Sequence, residues 1–418
     1  MTSNYLFENI QLLEGPKSTL RKETVLIVKG KVKAFGKKAL RDGVSLGIKP
    51  QKATNKLLAP CLVDPHSFLE SPFDGKEENI YSLINKARFA GYGQVGILPR
   101  GNLWRDQVDL IIALKAIKSQ VLLHFWGGFS IGGEGFSLSK HSSLLRNGAV
   151  GLADDDFTPP MQLLKQGFLL GEMNKSPILL APRDKSLQAG GIARYSVDTL
   201  RAGWIPDPVE SEILPLIQIL ELFKQYPDIA LKLMNISTSA GVSILKNTLH
   251  KPMTTVFWWH VVSDNSKLSP HDNGWSVTPS IGSLQDRASL IQGLKENILT
   301  AISVHSTAID DSETKQPISK RKKGLSGYDL VLPLLWNELV KKSGWNVEEL
   351  WDKISFGPSH ILNQKKEKVS LDSNRWLLFD PTKEWIQSNE EKHLTTATNQ
   401  PIKEQKIQGK VIDCGLIT

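Results

Sequence analysis

Cysteine is nearly absent: Cys61 and Cys414 are the only two in 418 residues, and they stand far apart. That excludes a disulfide scaffold and the closely spaced thiolate pairs of zinc and redox motifs, and leaves two reduced, passive thiols. Long apolar runs are missing too, since none reaches the roughly 18 residues that cross a bilayer. The opening Met1-Thr2-Ser3-Asn4-Tyr5-Leu6 lacks the basic and then apolar pattern of a leader. A cytoplasmic protein with no membrane association is expected. A strong excess of charge is also lacking, because +8 is modest for this length. The one dense basic run, Lys320-Arg321-Lys322-Lys323, carries no interleaved aromatic residue. It reads as a solvated loop, and no nucleic-acid partner is expected. Low-complexity tracts and internal repeats are absent, and an apolar share of 40% with a charged share of 22% is that of an ordinary globular chain.

What the chain has is alternation. Short apolar runs read as strands at 58–63, 93–98, 121–125, 150–153, 177–180, 230–234 and 299–303, and segments of helical period lie between them, among them 80–90, 107–117 and 215–226. This many strand–helix units in about 300 residues favours an α/β fold closed as a (β/α)8 TIM-like barrel. Both ends instead alternate apolar and polar residues at a period of two. Residues 24–36 read as a hairpin turning at Lys29-Gly30-Lys31, and 376–380 and 409–413 read as strands. If the ends pair, residues 1–57 and 366–418 form one small β-sandwich domain around a barrel of residues 58–365. The polar, lysine-rich stretch 307–327 reads as a long loop near the top of the last strands, where barrel loops often cover the active face.

After the first barrel run comes Asp64-Pro65-His66-Ser67-Phe68-Leu69-Glu70-Ser71-Pro72. Residues at alternate strand positions face the same way, so two histidines there could clamp a divalent metal. Only His66 is a histidine, and a lone histidine after an apolar strand is ordinarily a packed, hydrogen-bonded residue. The rest of the chain gives the segment its context. In order and spacing over nearly its whole length the sequence resembles the dihydroorotases of the amidohydrolase superfamily, whose motif is Asp-x-His-x-His followed by Leu-Arg-Glu-Pro. Leu98-Pro99-Arg100 stands at their Met-Pro-Asn, Leu152-Ala153-Asp154-Asp155 at their Ser-Asp-Asp, and Ala181-Pro182-Arg183-Asp184 at their His-x-Glu-Asp. Asn235-Ile236-Ser237-Thr238 stands at His-Val-Ser-Thr, Ile302-Ser303-Val304-His305 at Thr-Asp-His, and Gly324-Leu325-Ser326-Gly327 and Leu378-Phe379-Asp380-Pro381 complete the series.

The resemblance implies a metal-dependent hydrolase of cyclic amides in pyrimidine biosynthesis, with zinc as the metal if any is retained. Residue by residue, it leaves His66, Asp154 and Asp155 as the residual ligand set, because Phe68, Ala181 and Val304 cannot bind a metal and Asn235 is a poor donor. The general-base position is Val304, so no catalytic residue remains there. Glu70, Arg100 and His305 are expected to line an altered substrate pocket. Hydrolysis of an amide at neutral pH needs a metal-activated water and a base to move its proton, and a catalytic zinc takes about three protein ligands. Phe68, Val304, Ala181, Trp258 and Trp259 suggest a pocket packed shut, while His260, Asp184, His305 and Glu70 could in principle assemble a different site. The expected function is therefore a non-catalytic dihydroorotase homologue acting through association, with itself as a homo-oligomer or with aspartate carbamoyltransferase. An active cyclic amidohydrolase with a reduced metal site is the alternative.

Overall fold

In the computed structural model, which describes residues 4–268, 272–387, 397–402 and 404–417, strands β1 (Tyr5–Leu12), β2 (Arg21–Val28) and β3 (Lys31–Phe35) form an antiparallel meander. Lys29 and Gly30 both take positive φ, 50° and 70°. That is the geometry of a type I′ turn, whose twist matches the strands it joins, and Val28 pairs with Lys31 across it. Two further strands, β4 (Pro50–Lys52) and β5 (Leu57–Pro60), run parallel to β1.

The barrel begins at β6 (Leu62–Ser67), so the apolar run expected as one strand over 58–63 divides at Cys61 between two sheets. Around the barrel follow β7 (Tyr92–Ile97), β8 (Leu122–Phe125) with its continuation β9 (Gly127–Gly128), β10 (Leu152–Ala153) and β11 (Ile178–Leu180). A short parallel ribbon of β12 (Ala193–Arg194) and β13 (Pro206–Asp207) interrupts the series. The barrel resumes with β14 (Leu231–Leu233), β15 (Met253–Phe257) and β16 (Ala301–Ser303). Every neighbouring pair is parallel. The ring closes where His305 N–H donates to His66 O (3.2 Å) and Phe68 N–H to Ser306 O (2.8 Å). Helices lie between the strands as the periodicity predicts, at Ile80–Phe89, Val108–Lys115 and Glu210–Gln225. Asn79 starts the first of them with a capping box that satisfies its free amides.

The chain then returns as β17 (Trp376–Ile386) and β18 (Lys406–Cys414), and β17 pairs antiparallel with β5. One sheet is thus built from both ends of the chain, in the order β18-β17-β5-β1-β2-β3, with β4 beside β1. The barrel interior holds a core of Val63, Phe68, Leu98, Trp126, Leu179, Ala181 and Met234. A larger apolar layer lies between strands and helices. Gly96 permits the close approach of β7 to β6, since a Cβ there would lie 2.1 Å from Pro65 O. Among the described residues no helix is long and apolar enough to cross a membrane.

Candidate functional site

At the C-terminal end of β6, His66 is completely buried and both of its ring nitrogens are engaged. Nδ1 lies 3.0 Å from Nδ1 of His305, and Nε2 lies 2.8 Å from the Thr255 hydroxyl on β15. Two facing Nδ1 atoms need one proton between them, one ring donating and the other accepting. Burial, and then the neighbouring His305 ring, hold the His66 imidazole well below its usual range. His305 itself sits at φ 47°, just past the end of β16. From there its Nε2 reaches the carboxylate of Asp156 at 3.0 Å.

Asp156 is the centre of the charges. Its Oδ1 also lies 3.3 Å from Nη2 of Arg183, and its Oδ2 3.5 Å from Nη1 of Arg100. Burial opposes its ionisation, but His305, Arg183 and Arg100 more than offset that and hold the carboxyl well below the usual carboxylate range. Arg183 is 1% exposed. Its guanidinium is fixed further by donating from Nε to Asp156 O (2.8 Å) and from Nη1 to Asn235 O (3.2 Å). Arg100 stands over the ring of Phe68, 3.6 Å from the centroid, donates to Asp155 Oδ1 at 2.7 Å, and lies 3.5 Å from Glu70. Glu70 completes the series with an ion pair to Lys322.

The family resemblance implies zinc, and the residues present do not fit it. A zinc site needs three or four free nitrogen, sulfur or carboxylate donors. Here both nitrogens of His66 are spent on His305 and Thr255, and Asp156 is claimed by an imidazole and two guanidinium groups. Phe68, Ala181 and Val304 are buried, at 2%, 1% and 3% exposure, among apolar neighbours. Among the described residues no group of three or more His, Cys, Asp and Glu side chains could hold a metal ion.

The sequence-expected residues are therefore only partly brought together. His66 and His305 meet, and Arg100, Asp155 and Glu70 meet one layer further out. Asp154 turns away: its Oδ1 accepts from the backbone N–H groups of Phe129 and Ser130 (both 2.9 Å) and its Oδ2 from the Ser130 hydroxyl (2.6 Å). It ties β10 to the loop after β9 and takes no part in the His66 network. Asn235 does reach the site, accepting from Ser303 Oγ at 2.7 Å, while its amide nitrogen is buried without a partner among the described residues. The other polar residues stay apart. Asp184 caps the helix Lys185–Gln188, and His260 contacts Ser280 O, with burial pulling its pKa down to about 4. The basic run is only partly solvated: Lys322 pairs with Glu70, and Lys323 donates to Gly191 O at 2.6 Å. Asp156 and Thr255 were not among the expected site residues. The run Asp154-Asp155-Asp156 was the available signal for the first, but not for which carboxylate faces inward.

No family model matches the chain. Curated relatives do. It is 28% identical over 393 residues to a probable dihydroorotase-like protein of Synechocystis, covering 86% of this chain and 88% of that one. It is 24% identical over 402 residues to a dihydroorotase of Thermoanaerobacter, covering 94% and 91%. Among solved structures, L-hydantoinase from Arthrobacter aurescens superposes with a TM-score of 0.75 over 98% of this chain and 94% of that one, at 15% identity. A dihydropyrimidinase from Brevibacillus agri superposes with a TM-score of 0.73 at 17% identity. At those identities the structural likeness concerns the fold, which is the TIM-type barrel with a small sheet domain built from the termini.

Proposed function

We propose that this chain, a homologue of the dihydroorotases built on the hydantoinase-type barrel, does not hydrolyse cyclic amides and acts through association. Its lineage is that of cyclic amidohydrolases. The observation that carries the reading is the ion pair of Arg183 and Asp156: a fixed guanidinium stands among the residues where the resemblance asks for metal ligands. A positive side chain bonded to the carboxylate repels a divalent ion from the same place, and it neither activates water nor accepts a proton. Val304 offers no base, and general acid–base catalysis is worth roughly 10²–10⁴-fold. A buried pair with satisfied hydrogen bonds, tied to His305 and to the carbonyl of Asn235, is a structural element that holds the barrel mouth without a metal.

The partner we propose is aspartate carbamoyltransferase or a second copy of the chain, in the cytoplasm, by resemblance to dihydroorotase-like chains that support the transferase. Metal analysis of the purified protein, assays of the cyclisation in both directions, and co-elution with the transferase test the reading together. We expect no stoichiometric zinc, no turnover, and a complex or a homo-oligomer. Stoichiometric zinc with turnover of dihydroorotate would establish instead the active amidohydrolase with an altered site, a reading supported by the cleft that stays open beside Arg100.

A further inference from the structure

Against the outer side of the packed network, and sharing Glu70, Arg100 and Asp156 with it, lies a cleft of about 440 Å³ whose other walls carry Lys185, Lys322 and Lys323. That volume is in the range of small-ligand sites, roughly 300–1,000 Å³. The charges on the walls do not cancel. Glu70 is neutralised by Lys322 and Asp156 by Arg183, with Arg100 3.5 Å from each of the two carboxylates. Arg100, the guanidinium of the wall, is further occupied by Asp155. Lys185 and Lys323 remain. Neither forms an ion pair among the described residues: the ammonium of Lys323 donates to Gly191 O at 2.6 Å, and that of Lys185 lies 5.9 Å from the centroid of Phe157. Burial lowers the pKa of Lys323 below the ordinary lysine value, so its charge is held at a cost that an anion would relieve. Asp207 and Asp156 favour the Lys323 charge from beyond ion-pair distance without offsetting its burial, and two cations with no ion-pair partner among the described residues leave the concave wall positive.

We propose that this cleft is a binding site for a phosphate-bearing small molecule, held between Lys185 and Lys323. Carboxylates are matched best by the planar fork of arginine, and the arginine here is already paired. Ammonium groups act as point charges and suit a tetrahedral dianion approached from several sides. Lys185 and Gln188 come from the helix Lys185–Gln188, Thr278 from the loop after β15, and Lys323 from the loop after β16. The cavity is thus lined by residues from three separate segments. Nothing in the site requires turnover or a protein partner, so it stands or falls apart from the proposed function.

The test is calorimetric titration of the full chain with inorganic phosphate and with glycerol phosphate at low ionic strength, with succinate as a dicarboxylate of comparable charge. We expect saturable binding of the phosphates, and weakening by about tenfold, a single lost charge–charge contact, in Lys185→Gln. Lys185 is exposed, so this variant should fold as the parent does. Lys323→Gln is expected to weaken binding at least as much. No saturable binding, undiminished binding in Lys185→Gln, or a preference for succinate would each overturn the proposal.

Discussion

The ring Nδ1 atoms of His66 and His305 lie 3.0 Å apart, closing the barrel between its first and last strands. The same two residues are joined through the backbone, His305 N–H donating to His66 O. The pair therefore fastens the seam of the barrel, and through Asp156 it connects that seam to the buried guanidinium of Arg183.

Removing that guanidinium leaves a buried carboxylate undercompensated. Arg183→Met is expected to cost about 3–5 kcal/mol, as for breaking one side of a buried ion pair. Adding Asp156→Asn should restore part of the loss, because the uncompensated charge goes with it. Chemical denaturation of the single and double variants measures both effects, and a double variant less stable than Arg183→Met alone would contradict the assignment.

Phe68→His restores the two-histidine spelling of the strand end without restoring a metal site. His66 keeps its partners Thr255 and His305, and Arg183 still occupies Asp156. Competition against a chromophoric zinc chelator should show no stoichiometric zinc. Stability should fall by about 1–3 kcal/mol, since an imidazole is buried where the ring of Phe68 packs beneath Arg100.

Asp154 gives a pH signature. Burial is the main cause that raises its pKa from 3.8 to about 7, against the three hydrogen bonds it accepts. Between those values the folded chain holds a proton that the unfolded chain has released, so this group makes stability fall as pH rises from about 4 to about 7. His260 works in the opposite sense: burial lowers it from 6.5 to about 4, and stability is lost as pH falls through that window. Asp154→Asn, which can keep the contacts to Phe129 and Ser130, should therefore gain stability relative to the parent as pH rises from 4 to 7. Parallel melts at several pH values check this, and a constant difference would count against it.

The segment 311–322 is held at its end by Lys322, which pairs with Glu70 and whose N–H donates to Glu313 at 2.9 Å. The pair is partly exposed, so Lys322→Ala should change global stability by no more than about 1 kcal/mol. Hydrogen exchange within 311–322 should nevertheless quicken, and unchanged exchange would show that other contacts hold the segment.

Much of the fold could be read directly, because burial follows the period of the backbone. Alternation of two marked the terminal strands, alternation of strand and helix marked the barrel, and Lys29-Gly30 marked its turn by the conformations those residues allow. The identities that remove a zinc site, Phe68, Ala181 and Val304, are also properties of sequence alone. The tertiary structure decided the rest. Three consecutive aspartates look equivalent on paper, but the strand end at Ala153 sends Asp154 to the amides of Phe129 and Ser130 and Asp156 to His305. Arg183 reads as a lost glutamate until it is seen bonded to Asp156 and to the carbonyl of Asn235. Which charges cancel depends on distances between segments remote in the chain, and only closure of the barrel sets those distances.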